Sequence, residues 1–291
     1  MSYPFAVTVL SWAPEEVEAL LQPYHKFEAT GTEDQYVVEV DDTDEHRREY
    51  ESKDPPAYSN HEGVKVSAYE DFRTFLSFMA ELPEVLEGFK PDDSTKFGYT
   101  LISEGGEVIR TIRRTNPNAK WGRREIGGGS FLLLKDGESA NQGRLGGVDF
   151  EAMEVRAAKR ELEVFDRVAS VTNGRTWKTW DEVRGAAESN EKAQDQYWSQ
   201  DVIAELATAS GTLFPEEFDP YRGLTREQCE ATARLRGICT FALVNVEGWM
   251  ARGEMGPLGA VQDPDEWARA YREVLGKAPS DSLITIVDCH I

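Results

Sequence analysis

The sequence predicts an α+β fold of ferredoxin-like type, with β-α-β units at both ends forming an antiparallel or mixed sheet and a largely helical segment inserted between them. Three observations carry that expectation. Apolar runs of strand length open and close the chain, F-A-V-T-V-L at 5–10 and S-L-I-T-I-V-D-C-H-I at 282–291. A helical pattern stands beside each of them. Between 151 and 236 the apolar residues recur at helical spacing with few strand signals. The expected division is therefore an α+β core of residues 1–150 and 237–291, with 151–236 a helical insertion packed on it.

The elements follow in order. After the first strand, Pro14 with Glu15 and Glu16 starts a helix that buries Val17, Leu20 and Leu21, with Tyr24 a further candidate. Q-Y-V-V-E-V at 35–40 reads as a second strand. Residues 41–62 are acidic and rich in turn formers, which predicts a loop with at most a short helix at 46–51. Ser67 and Glu70 stand at capping-box spacing ahead of Phe72, Phe75, Leu76, Met79 and Leu82, a helix. The run 98–113 is a hairpin about Gly105-Gly106, and S-F-L-L-L-K at 130–135 is another strand.

Further on, apolar residues from Phe150 to Val168 describe one long amphipathic helix, and the pattern from Trp177 to Leu206 is helical but broken. S-G-T-L-F-P-E-E-F-D-P-Y at 210–221 is a loop that exposes or docks aromatics. Thr225 and Gln228 form a second capping box. Residues 239–252 form a hairpin about Glu247-Gly248, and Asp263-Pro264 starts a helix burying Trp267, Tyr271, Val274 and Leu275.

Composition narrows the function. The net charge is −21, and the basic residues are unevenly placed: from Arg110 to Arg124 there are six cations and no acid. A negative field of that size repels phosphate backbones and disfavours nonspecific binding to nucleic acid or anionic membrane, while favouring a basic partner. No apolar run approaches the roughly 18 residues of a membrane span, and the opening residues lack a signal-peptide pattern, so a cytoplasmic location and no membrane association are expected. Cys229, Cys239 and Cys289 form no C-x-x-C pair and read as reduced thiols.

Three places can carry chemistry. In the stretch R-R-T-N-P-N-A-K-W-G-R-R-E-I-G-G-G-S at 113–130, Arg113, Arg114, Lys120, Arg123 and Arg124 supply cations. Asn116 sits in a turn-forming N-P-N, Trp121 is an apolar plate, and Gly127, Gly128 and Gly129 admit close backbone approach. These are the parts of an anion site: guanidinium groups for phosphate, glycine amides as a cradle, an indole to stack on a base. The competing reading is a solvated loop whose cations pair with the acidic surface. At the end of the chain, period two puts Asp288 and His290 on one strand face and Cys289 on the other, a carboxylate–imidazole pair suited to general base work. Arg252 and Glu254 lie in a third place, the glycine-rich loop R-G-E-M-G-P-L-G-A-V. No metal site is expected, the cofactor is left open, and familiar hydrolase and zinc motifs are absent.

The pieces N-P-N-A-K-W, I-G-G, G-E-M-G and V-D-C-H-I, with F-A-V-T-V-L at the start, resemble an uncharacterised family of bacteriophages and bacteria. Its central motif looks like N-P-x-x-K-W-D-W-x-x-I-G-G-R-W and its later loop like G-E-M-G-W-W-G. This chain has Gly122-Arg123 in place of D-W, Gly129-Ser130 in place of R-W, and Pro257-Leu258 in place of W-W, so aromatic plates are exchanged for small and cationic residues. The resemblance implies a phage or mobile-element setting in the cytoplasm of a bacterial host cell. The leading expectation is an accessory protein that binds a small anionic, nucleotide-like ligand and counters host defence. The alternatives are a hydrolase or transferase acting on a nucleotide or nucleic acid, with His290 as base, Asp288 as its orienter and Arg124 stabilising negative charge, and an acidic mimic of nucleic acid that blocks a basic host protein.

Overall fold

A computed structural model describes residues 4–52, 58–59, 65–66, 71–127, 132–211, 215–253, 255–256, 259–260 and 263–290. It is α+β, with helices and several small sheets that include both parallel and antiparallel pairs. Among the described residues no helix is long and apolar enough to cross a membrane.

Contacts divide the chain into two units, one of Met1–Phe5, Glu15–Glu125 and Asp288–Ile291, the other of Ala6–Pro14 and Ile126–Val287. The borders of these units fall at 5/6, 14/15, 125/126 and 287/288, and the segment 151–236 shares a unit with most of the C-terminal elements.

The first unit is built on a four-stranded sheet in the order Val38–Asp41, Val108–Thr115, Gly98–Ile102, Glu84–Leu86. The expected hairpin forms its centre, with Tyr99 opposite Ile112, and Glu84–Leu86 adds in parallel. Two of this unit's helices pack against each other. Thr43–Tyr50 is longer than the sequence suggested, and its Tyr50 packs 5.6 Å from both Phe72 and Phe75 of the helix Phe72–Met79. The latter is capped by Asp71, whose carboxylate accepts from the Thr74 amide at 2.7 Å; the expected cap, Ser67 with Glu70, lies outside the described residues. Asp71 holds the cap because it immediately precedes the first helical residue, where a short acceptor reaches the third amide.

The helix Glu16–Leu21 buries Val17 and Leu21 and leaves Leu20 and Tyr24 half-buried. It runs through a short 3-10 turn, Gln22–Tyr24, into Phe27–Thr30, which ends at Gly31 in the left-handed region. The strand that follows, Val38–Asp41, pairs with Val108–Thr115 and not with Pro4–Ser11. The expected N-terminal β-α-β unit is therefore not formed, because the chain spends its second strand on another sheet.

The second unit holds a mixed sheet with neighbours in the order Gln142–Arg144, Leu283–His290, Pro4–Ser11, Ala242–Asn245, Gly248–Ala251. Pro4–Ser11 runs parallel to Ala242–Asn245, placing Val7, Thr8 and Val9 opposite Ala242, Leu243 and Val244, all six fully buried. Near-continuous apolar runs of this kind belong to strands covered on both faces. The helix Pro264–Lys277, capped by Asp263, lays Trp267, Tyr271 and Leu275 into that core at four-residue spacing with Leu10, Leu243, Ile284 and Ile286. Of the predicted strand at 130–135, residues 130 and 131 lie outside the described residues, and Leu132–Leu133 forms a strand.

A second core lies among the helices of the same unit. Val168 of the 23-residue helix Phe150–Thr172, Trp177, Tyr197, Ile203, Leu206 and Phe218 pack together, with Trp180 and Trp198 at the edge. Of these three tryptophans only Trp177 is buried; Trp180 and Trp198 are half-buried against the cluster. Asp219 joins them: it accepts from the Trp177 indole at 2.6 Å, the Tyr197 hydroxyl at 2.8 Å and the Trp180 amide at 2.6 Å.

A candidate anion pocket in the first unit

The cation-rich segment does not converge on one cradle. Arg113 and Arg114 are consecutive on the strand Val108–Thr115, so their side chains leave on opposite faces. Arg113 donates to the buried carboxylate of Asp42 at 2.6 Å, which raises its already high pKa. Arg114 pairs with Glu33, donates to the Lys96 carbonyl at 3.3 Å, and lies 5.8 Å from the centre of the Phe27 ring. Both are structural ties within the acidic unit. Lys120 is exposed and contributes its backbone amide, which donates to the Tyr24 carbonyl at 2.7 Å.

Asn116 and Trp121 are structural as well. The Asn116 side chain is buried; its amide donates to the carbonyls of Pro23 and His25, each at 2.9 Å, and its oxygen accepts from the Asn118 amide at 3.0 Å. The N-P-N turn thereby clamps the segment 22–26. Trp121, expected to stack on a base, is only 6 % exposed. Its indole donates to the Leu21 carbonyl at 3.2 Å, its ring lies 4.8 Å from that of His25, and the Arg124 guanidinium is 5.6 Å from its centre. That plate is already covered.

What the fold does assemble is an open pocket of about 590 Å³. Arg123 and Arg124 come from one side, His25, Thr30 and Thr32 from the other, with Trp121 and Gly122 between. Arg124 pairs with Glu18, whose side chain is 57 % exposed. Arg123 is exposed and forms no ion pair with any described residue. His25 is 7 % exposed and shares a 3.3 Å hydrogen bond with the Thr30 hydroxyl. Gly122 fits tightly: a β-carbon there would lie 3.0 Å from the β-carbon of Ala29. His25, Thr30 and Thr32 were not singled out from the sequence, because only the backbone bonds between 24–26 and 120–121 bring them to the arginines.

The remaining expected site residues lie elsewhere. Gly127 belongs to the second unit, and its amide, expected to face a ligand, donates to the Ile286 carbonyl at 2.9 Å. Its φ of +83° and the Asn141 side chain against its α-carbon explain the glycine without a ligand. Gly128, Gly129 and Glu254 lie outside the described residues. Arg252 is half-buried in the second unit, with its Nε buried and without a hydrogen-bond partner among the described residues.

At the chain end, Asp288 and His290 are half-buried and Cys289 is buried, the alternation that period two requires. Burial pushes the Cys289 thiol up to about 12 against the opposing charge of Arg124. The Gly122 amide donates to the His290 carbonyl at 2.7 Å, but His290 is not among the residues that line the pocket. Among the described residues no group of three or more His, Cys, Asp or Glu is placed to hold a metal ion. Compared with known protein families, curated proteins and solved structures, the chain matches none.

Proposed function

We propose that the protein is an accessory binding protein whose first unit captures a small anionic, phosphate-bearing ligand between Arg123, Arg124 and His25. The single observation behind this reading is Arg123: an exposed guanidinium without a carboxylate partner among the described residues, in a chain of net charge −21, on the rim of a pocket floored by a buried imidazole. Glu18 does not close the site. An exposed ion pair contributes only about 0–1 kcal/mol, so little is lost when a phosphate, with more negative charge and more acceptor oxygens, replaces the Glu18 carboxylate on Arg124. A phosphate can therefore displace the carboxylate. Because Trp121 is covered, the grip falls on the phosphate and not on a stacked base. The phage-like motifs suggest the setting, a nucleotide signal of host defence held in the cytoplasm of a bacterial cell.

Calorimetry with inorganic phosphate and with mono-, di- and cyclic nucleotides tests the reading. Binding is expected, weakened roughly tenfold or more by Arg123→Ala and by Arg124→Ala, and strengthened by Glu18→Gln, which removes the competing carboxylate. Absence of binding across the panel, or affinities indifferent to all three substitutions, overturns it.

A further inference from the structure

The second unit contains a separate and more enclosed pocket of about 290 Å³, near the lower end of ordinary ligand sites at roughly 300 Å³. Its floor is apolar: Leu132, Ile284 and Ile286 come from the sheet region and are at most 4 % exposed. Phe150 and Met153 of the long helix form a wall. Tyr271 and Thr240 also line it, yet their hydroxyls are spent on Thr8, at 2.6 Å and 3.0 Å, so the interior offers little polar demand of its own. One end is held shut where two helices meet at a glycine: a β-carbon on Gly237 would lie 2.6 Å from that of Ala157 and 2.9 Å from the Ala233 carbonyl.

The rim differs in kind. Arg156 and Arg160 stand one turn apart on the same helix, both exposed and both lining the pocket. Neither forms an ion pair with a described residue, although acids outnumber bases 53 to 32 in the chain. Two of the helix's own carboxylates are committed elsewhere: Glu154 accepts from Arg272 at 2.7 Å and Glu161 from the Tyr221 hydroxyl at 2.6 Å. A cavity with an apolar floor and, at its rim, two guanidinium groups without an ion-pair partner among the described residues is complementary to a molecule with the opposite halves, an apolar body and an anionic head.

We propose that this pocket binds a small amphipathic anion, its alkyl or aryl body against Met153, Ile284 and Ile286 and its carboxylate or phosphate between Arg156 and Arg160. The probes are octanoate and monooctyl phosphate, below micelle-forming concentrations, with octan-1-ol as the uncharged control. Calorimetry reads affinity on the full chain, and methyl-labelled methionine spectra report whether Met153 senses the ligand. Saturable binding that moves the Met153 methyl is expected, with affinity falling roughly tenfold or more in Arg156→Gln/Arg160→Gln and for octan-1-ol. Circular dichroism of the variant must match the parent, as it should for two exposed helical positions. The two anionic probes tell which head group is preferred. No saturable binding, binding that leaves Met153 unmoved, or equal affinity for octan-1-ol or in the double variant overturns the proposal. Arg123→Ala should leave this binding unchanged, so the outcome is independent of the pocket in the first unit.

Discussion

Asn116→Ala should unfasten the first unit. The side chain is 3 % exposed and makes three bonds, to the Pro23 and His25 carbonyls and from the Asn118 amide. Each such bond contributes about 0.5–1.5 kcal/mol, and a buried carbonyl left without a donor costs more. The Pro23 carbonyl is only partly buried and can recruit water, which lowers the total. The expected loss is therefore about 2–3 kcal/mol. Asn116→Asp sharpens the test, since it turns the donating amide into a carboxylate facing two carbonyl oxygens. That carboxyl is favoured in its neutral form when folded, so its folded pKa lies above the unfolded one. The variant should be less stable than Asn116→Ala at neutral pH and recover on acidification. Trp121 is the only tryptophan of this unit, so urea unfolding followed by the fluorine resonance of 5-fluorotryptophan at that position reads it alone. A loss under about 0.5 kcal/mol, or an Asp variant as stable as the parent, would refute the clamp.

Three further outcomes are expected. Asp219→Ala leaves the Trp177 indole, the Tyr197 hydroxyl and the Trp180 amide without their shared acceptor, and should lower the stability of the second unit by about 3–5 kcal/mol in urea unfolding; Asp219→Asn should retain part of it. Glu182 receives two bonds from Arg222, at 2.6 Å and 2.8 Å, and these, with the Thr179 amide, hold its carboxyl down to about 2. A depressed pKa of this kind stabilises above the ordinary value of 4.5 and the contribution is lost as pH falls from there toward 2; a carbon-13 titration should show it, and Arg222→Ala should bring the midpoint back up. Gly98 has a φ of +133°, and a β-carbon on it would lie 2.2 Å from the Ile112 carbonyl, so Gly98→Ala should cost about 2–4 kcal/mol, read as a lowered thermal midpoint.

Local signals were legible in the sequence. The capping box of Thr225 and Gln228 forms with both bonds, 2.8 Å and 3.2 Å. Asp263-Pro264 starts its helix, the first hairpin turns through Gly105-Gly106, and the second turns one residue earlier than expected, on Val246-Glu247, with Gly248 paired to Asn245. Each of these is decided within a few residues. Which sheet a strand joins is not: Val38–Asp41 has the right alternation for either, and its choice of Val108–Thr115 follows from pairings some seventy residues away, such as Arg113 with Asp42. The ferredoxin-like expectation failed at the N-terminal unit for that reason.

The same limit governs the candidate site. The sequence displays the cations from Arg110 to Arg124 but not the carboxylates the fold brings to them, which lie 71 residues away for Arg113 and 81 for Arg114. In a chain with a large excess of acid, most guanidinium groups find an internal partner on electrostatic grounds alone, so density of positive charge along the chain is a poor guide to a ligand. The informative arginines are the ones that line a cavity and still lack a carboxylate. By that criterion Arg113 and Arg114 drop out, Arg123 remains, and Arg156 and Arg160, one helical turn apart and unremarked in the sequence, come forward. Their competitors for an incoming anion are water and dissolved salt, and added chloride should weaken binding at both pockets far more than it weakens the fold.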